Sequence, residues 1–147
     1  MEICEDLEIN PIINASLAVF AYTNDTEMEI NDIDLLIPEI HFKNLANSLK
    51  RKNIEFHIKE WHVLRVIKSG LKIEFDSMDY WEIEWGIHLP DAFSKVRIQG
   101  LTMDILDLPH LIQTYKIGAE KSTKRSKDYR MKYKALKRVQ DHVNKEL

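Results

Sequence analysis

Apolar and polar positions alternate most clearly in the middle of the chain. Ile54, Phe56 and Ile58 alternate with Glu55, His57 and Lys59, and Leu71, Ile73 and Phe75 alternate with Lys72, Glu74 and Asp76. A period of two marks a half-buried strand. Apolar runs at Val63–Ile67 and in Asp32–Ile37 (DIDLLI) predict two more strands, the second stopped by Pro38. Ser69-Gly70 turns the 63–67 strand into the 71–76 strand. Gln99-Gly100, between Val96–Ile98 and Leu101–Met103, predicts a hairpin.

Helical spacing appears in three places. Phe42, Leu45, Ala46 and Leu49 share one face over residues 40–51. Leu111, Ile112, Tyr115 and Ala119 follow a helix start at Asp107-Leu108-Pro109. Tyr129, Tyr133, Leu136, Val139 and Val143 line one face over residues 127–146. Near the beginning, Ile12-Ile13 reads as a short strand running into a helix at Ala15–Phe20, capped by Asn14 or Ser16. Thr23–Asn31 is polar and reads as a loop. Residues 77–95 keep no clean period and read as a loop region with room for a short helix.

This order predicts an α/β or α+β domain with a mixed sheet and a helical C-terminal piece. The 147 residues suit one domain, its core over residues 12–106 and its C-terminal helices over 107–146. An apolar fraction of 44% fills one core, and four Gly and four Pro exclude a disordered or collagen-like chain. The single Cys, Cys4, excludes a disulfide framework and a cysteine-rich zinc site and is read as inert. Six scattered His lack zinc-like spacing and read as surface or satisfied groups. No apolar run reaches the roughly 18–20 residues of a membrane span. The acidic start, MEICEDLEINPI, is neither a signal nor a transit peptide, so a soluble, cytoplasmic protein without a membrane partner is expected.

The net charge of −3 conceals a division. Residues 1–115 hold ten Lys/Arg against twenty Asp/Glu, and residues 116–147 hold eleven against four. Such a split points either to an anionic partner, nucleic acid included, or to a solvated helix docking its basic side on an acidic body. The apolar stripe at Tyr129, Tyr133 and Leu136 favours docking. Trp61, Trp81 and Trp85 are expected in packing, with Trp81 and Trp85 placed to line a cleft just after the 71–76 strand.

The candidate chemistry begins at Asp32-Ile33-Asp34. On a strand, residues i and i+2 face the same way, so Asp32 and Asp34 converge while Ile33 and Leu35 face the core. Converging carboxylates call for solvation or a cation, and hard oxygen ligands suit Mg²⁺. Ala15-Ser16 opens a helix whose free N–H groups can hold phosphate. Glu74 and Asp76, on the polar face of a later strand, offer a third carboxylate. Three acids and a phosphate-binding helix start describe metal-assisted phosphoryl or nucleotidyl transfer.

In these elements the sequence resembles the nucleotidyltransferase superfamily, in the minimal branch that holds antibiotic and toxin–antitoxin nucleotidyltransferases. That family shows Gly-Ser, a gap, Asp-x-Asp and a third acid on a later strand. Here these are Ala15-Ser16, Asp32-Ile33-Asp34 and the Lys72–Asp76 strand. The tail resembles it through Leu111-Ile112, Lys116 and Arg125-Ser126-Lys127-Asp128. The resemblance spans residues 12–138. It implies a nucleotidyltransferase-like mixed sheet flanked by helices, with a C-terminal helical segment. It implies Mg²⁺ held by Asp32, Asp34 and Asp76, with Glu74 as the alternate, and Asp76 as general base. Ala15, Ser16 and Lys116 would bind the nucleotide, Lys116 also stabilising charge. The partners implied are a nucleoside triphosphate such as ATP and a hydroxyl on a small molecule, a protein or an RNA end. Because the family's Gly stands here as Ala15, a second expectation is a catalytically weak or inactive interaction protein with this fold, such as a toxin–antitoxin component with a protein partner.

Overall fold

A computed structural model describes residues 2–88, 92–98, 100–121 and 124–146. In chain order its elements are α1 (Glu2–Asp6), β1 (Ile12–Asn14), α2 (Ala15–Thr23), β2 (Asp32–Ile37), a 3₁₀ turn (Glu39–His41), α3 (Phe42–Arg51), β3 (Phe56–Lys59), β4 (Val63–Lys68), β5 (Leu71–Ser77), α4 (Met78–Trp85), β6 (Phe93–Ile98), β7 (Leu101–Leu106), α5 (Leu108–Glu120) and α6 (Ser126–Glu146). The strands form one seven-stranded mixed sheet in the order β3-β4-β5-β2-β1-β7-β6. Pairs β2–β5 and β1–β7 are parallel, and the others are antiparallel.

Local sequence explains most boundaries. Ser69 (φ 54°) and Gly70 (φ 79°) are both left-handed, as the tight turn between β4 and β5 requires. That turn sets Lys68 opposite Leu71 and therefore Arg65 opposite Glu74. Between β6 and β7, Gly100 takes φ 84°, and Gln99 lies outside the described residues. Asp107 caps α5 by accepting the His110 N–H at 2.9 Å, with Pro109 in the first turn. Residues 77–95 hold a definite helix, α4, begun by Ser77 accepting the Tyr80 N–H at 3.2 Å and ended by Gly86 at φ 67°. Its apolar residues lack helical order because its rings face a cavity as well as the core. Pro90 lies outside the described residues. The edge strand β3 leaves Ile58 55% exposed, since among the described residues no strand pairs with its outer edge.

The core joins both layers. Ile13, Leu36, Leu64, Ile105 and Leu111 are completely or almost completely buried, and so is Leu136 of α6. Leu136 therefore anchors the basic C-terminal helix. Gly118 lets α6 approach α5 closely: a Cβ there would lie 2.5 Å from the ring of Tyr129.

Candidate functional site

Strand register assembles the acids. Parallel pairing sets Asp34 beside Glu74, and Asp76 follows two residues along the same face of β5. Asp34, Glu74 and Asp76 each bring a carboxylate oxygen within 4.8 Å of the others. Burial pushes Asp34 up to about 6, helped by Glu74 and Asp32 and opposed by Arg125 and Lys132. Burial, then Asp34 and Glu74, pushes Asp76 up to about 7. Arg65 grips one oxygen of Glu74, with Nη2 at 2.6 Å and Nε at 2.9 Å. Among the described residues no ion pair or hydrogen bond is made to Asp34 or Asp76.

Asp32 sits apart from this cluster. It lies on the same face of β2 as Asp34, but its register partner is Lys72, whose Nζ is 3.7 Å away. Of the expected acids, Asp34, Glu74 and Asp76 lie closest together, while Asp32 stands one step further along the same face of β2, near enough to act on the charge of Asp34. The parallel register sets these distances, with Asp34 opposite Glu74 and Asp32 opposite Lys72.

Two cavities meet at the cluster. The first, about 340 Å³, is walled by Asp34, Glu74, Asp76, His62 and the α4 side chains Tyr80, Trp81, Glu84 and Trp85. The second, about 970 Å³, runs between α2 and α6 past Ser16, Asp32, Asp34, Asp128 and Lys132. Ala15, Asp34, Tyr115, Arg125 and Tyr129 border both. Ser16 stands in the first turn of α2 and not at its cap. Asn14 occupies the cap position without a side-chain cap bond. Lys132 of α6 donates to Ser16 Oγ at 3.0 Å and pairs with Asp128 at 2.9 Å. Ala15 holds φ 53°, a left-handed conformation costly for a residue with a Cβ.

No family model matches the sequence, and no curated protein matches it. Solved structures match over nearly the whole chain. An antigenic nucleotidyltransferase-like protein from Paracoccidioides brasiliensis superposes with a TM-score of 0.69 at 15% identity, over 92% of this chain and 70% of that one. Lincomycin-bound lincosamide antibiotic adenylyltransferase LnuA gives 0.65 at 11% identity, over 94% and 92%. ANT(2'')-Ia in complex with adenylyl-2''-tobramycin gives 0.63 at 11% identity, over 95% and 87%. The chain has a nucleotidyltransferase fold.

Within that fold the residues singled out by sequence divide. Asp34, Glu74, Asp76, Ala15 and Ser16 border the two cavities at the cluster. Lys116 does not: it is exposed on α5 and lines neither cavity. One step of 100° beyond buried Tyr115 carries it to solvent, and Arg125, just before α6, and Lys132 of α6 bring positive charge to the cavities instead. Trp81 and Trp85 line the first cavity as expected, whereas Trp61 is 53% exposed. His62 is satisfied by Glu60 at 2.7 Å, yet it also lines the cavity and stacks on Tyr80 at 3.6 Å. Arg65 was legible in principle, because the Ser69-Gly70 turn fixes it opposite Glu74. Lys132 had only one local signal, its position four residues after Asp128 on a helix.

Proposed function

We propose that this chain is a Mg²⁺-dependent nucleotidyltransferase that moves a nucleoside monophosphate from a nucleoside triphosphate, such as ATP, onto a hydroxyl. The observation that carries this reading is the convergence of Asp34, Glu74 and Asp76 where the helix start at Ala15-Ser16 borders two cavities.

The donor set suits a hard divalent cation. Two of the three carboxylates are raised by burial and by mutual repulsion, which a cation among them would relieve. Asp34 and Glu74 would hold it with Asp76 as third carboxylate, and Asp32 would join only by leaving Lys72. When bound, the ion offsets negative charge developing on the phosphate oxygens. The chain supplies the rest. Free N–H groups of α2, Ser16 Oγ and Lys132 hold the triphosphate, a role that passes from Lys116 to Lys132. Asp76, at the cavity beside the other two acids, takes the acceptor's proton as general base. The acceptor oxygen bonds to the α-phosphorus, the bond from that phosphorus to its leaving oxygen breaks, and pyrophosphate departs.

Calorimetry with nucleoside triphosphates tests this reading. Binding that requires Mg²⁺, followed by pyrophosphate release when a hydroxyl acceptor is added, is expected. Absence of binding in the presence of Mg²⁺ overturns it. The strained Ala15 favours the second reading, a weak or inactive interaction protein, whose signature is nucleotide binding without pyrophosphate release.

A further inference from the structure

The sheet ends on one side at β3, and among the described residues no strand pairs with its outer edge. An unpaired edge offers free N–H and C=O groups, which proteins commonly blunt with proline, a bulge or charge. Neither proline nor a bulge does so here. Residues 55–60 contain no Pro, and Phe56–Lys59 pair with Val63–Val66 residue for residue. Ile58 in the strand and Trp61 in the turn after it are both more than half exposed. Glu55, His57 and Lys59 share one face, and Phe56 and Ile58 the other. Glu55 turns to His57, at 3.5 Å, and among the described residues Lys59 has no ion-pair partner.

The order of charges selects the occupant. In an antiparallel ladder alternate residues turn both their N–H and their C=O to the same side. Two copies of one strand about a twofold axis therefore pair residues of equal parity. Centred on His57, such a ladder sets Glu55 opposite Lys59 twice, Phe56 opposite Ile58 twice, and His57 opposite its counterpart. Centred on Ile58, it would set Phe56 opposite Glu60 and His57 opposite Lys59, and both Glu55–Lys59 pairs would be lost. Centred on Phe56, it would set Lys59 opposite Asn53, whose backbone leaves the strand at φ 55°. The other edge, β6, repels its own copy: a ladder centred on Lys95 or on Val96 sets Lys95 opposite another Lys95 or opposite Arg97. From this self-complementarity we infer that β3 is an interface to a second copy of this chain, paired antiparallel about a twofold axis at His57.

The pairing joins two seven-stranded sheets into one. Paired residues share a face, so the axis stands perpendicular to the sheet and both acid clusters lie on the same side of it. On that side one row runs from each cluster to the axis, because Asp34, Glu74, Arg65 and His57 are successive register partners. Seven strand spacings separate the two Asp34 positions, roughly 34 Å. On the other side Ile58 packs on Phe56 of the counterpart. A ladder over residues 55–59 is smaller than a standard interface, so the dimer is of the transient, concentration-dependent kind. The interface stands whether or not the chain transfers nucleotides.

The test is analytical ultracentrifugation of the whole chain from about 10 μM to about 1 mM, the range of a weak interface. The parent is expected to pass from monomer to dimer and to grow no further. Glu55→Lys and Lys59→Glu each turn both ion pairs into like-charge pairs, and each should weaken association about tenfold. Mixed in equal amounts, the two variants should associate with each other about as tightly as the parent, since every Glu then meets a Lys. The double variant Glu55→Lys/Lys59→Glu reverses both pairs and should also match the parent, which keeps the test open where one single variant fails to fold. Arg97→Gln, on the other edge, should change nothing. A parent that stays monomeric throughout, single variants that associate like the parent, a mixture no tighter than its parts together with a double variant that fails to recover, or growth beyond a dimer overturns the inference.

Discussion

Replacing Ala15 by Gly isolates the strain at the start of α2. At φ 53° the Cβ of Ala15 crowds its own backbone, which costs an L-residue about 1–2 kcal/mol. Glycine escapes that cost but loses about 0.4–1 kcal/mol more conformational entropy on folding. The balance favours Ala15→Gly by roughly 0.5 kcal/mol. In a chain of this length, that raises the melting temperature by about 1–2 °C. The sign matters more than the size. An Ala in ordinary right-handed helix would lose about 1 kcal/mol on the same change. Ala15→Val supplies the opposite arm, because a β-branched side chain suits this conformation worse than Ala does. Urea unfolding of the three proteins, with thermal melts beside it, reads both arms. Because Ala15 borders both cavities, nucleotide affinity should rise with Gly and fall with Val. A loss of about 1 kcal/mol in Ala15→Gly would refute the strain argument.

The raised acids set a pH dependence in the metal-free protein. Groups whose folded pKa exceeds the unfolded value contribute stability below about pH 4 that is lost as pH rises through 6 and 7. Urea unfolding should therefore show Asp76→Asn gaining on the parent by about 2 kcal/mol between pH 5 and pH 8, with added Mg²⁺ closing the gap. In calorimetric Mg²⁺ titrations, Asp34→Asn should weaken binding about tenfold or more and Asp32→Asn much less, since Lys72 already compensates Asp32. Equal losses would restore Asp32 to the cluster. Lys132→Met should lower nucleotide affinity and flatten its salt dependence, whereas Lys116→Met should change neither; the reverse result would return the role to Lys116. Gly118→Ala should lower the melting temperature, because overpacking against Tyr129 costs about 1–3 kcal/mol and outweighs the roughly 1 kcal/mol gained in helix propensity. A rise in stability would mean that α6 yields freely.

Apolar runs determined β2 and β4, period-two alternation β5, and helical spacing α3, α5 and α6, each to within a few residues, because the burial of each is written locally. The same patterns put Asp32 and Asp34 on one face and Glu74 and Asp76 on another, and the Ser69-Gly70 turn settled Arg65 against Glu74. Helix α4 escaped them because its rings face a cavity wall as well as the core, so no single apolar stripe remains. What only the tertiary structure decided was which groups meet. Asp34, not Asp32, joins the later acids because β2 and β5 run parallel with Asp34 opposite Glu74, and register between strands forty residues apart leaves no trace in either strand alone. Lys132 and not Lys116 reaches Ser16 because burial of Leu136 and the absence of a side chain at Gly118 lay α6 along α5 and α2. A charge's place in a site depends on how its helix is rotated and docked, and helix docking is a property of the packed core.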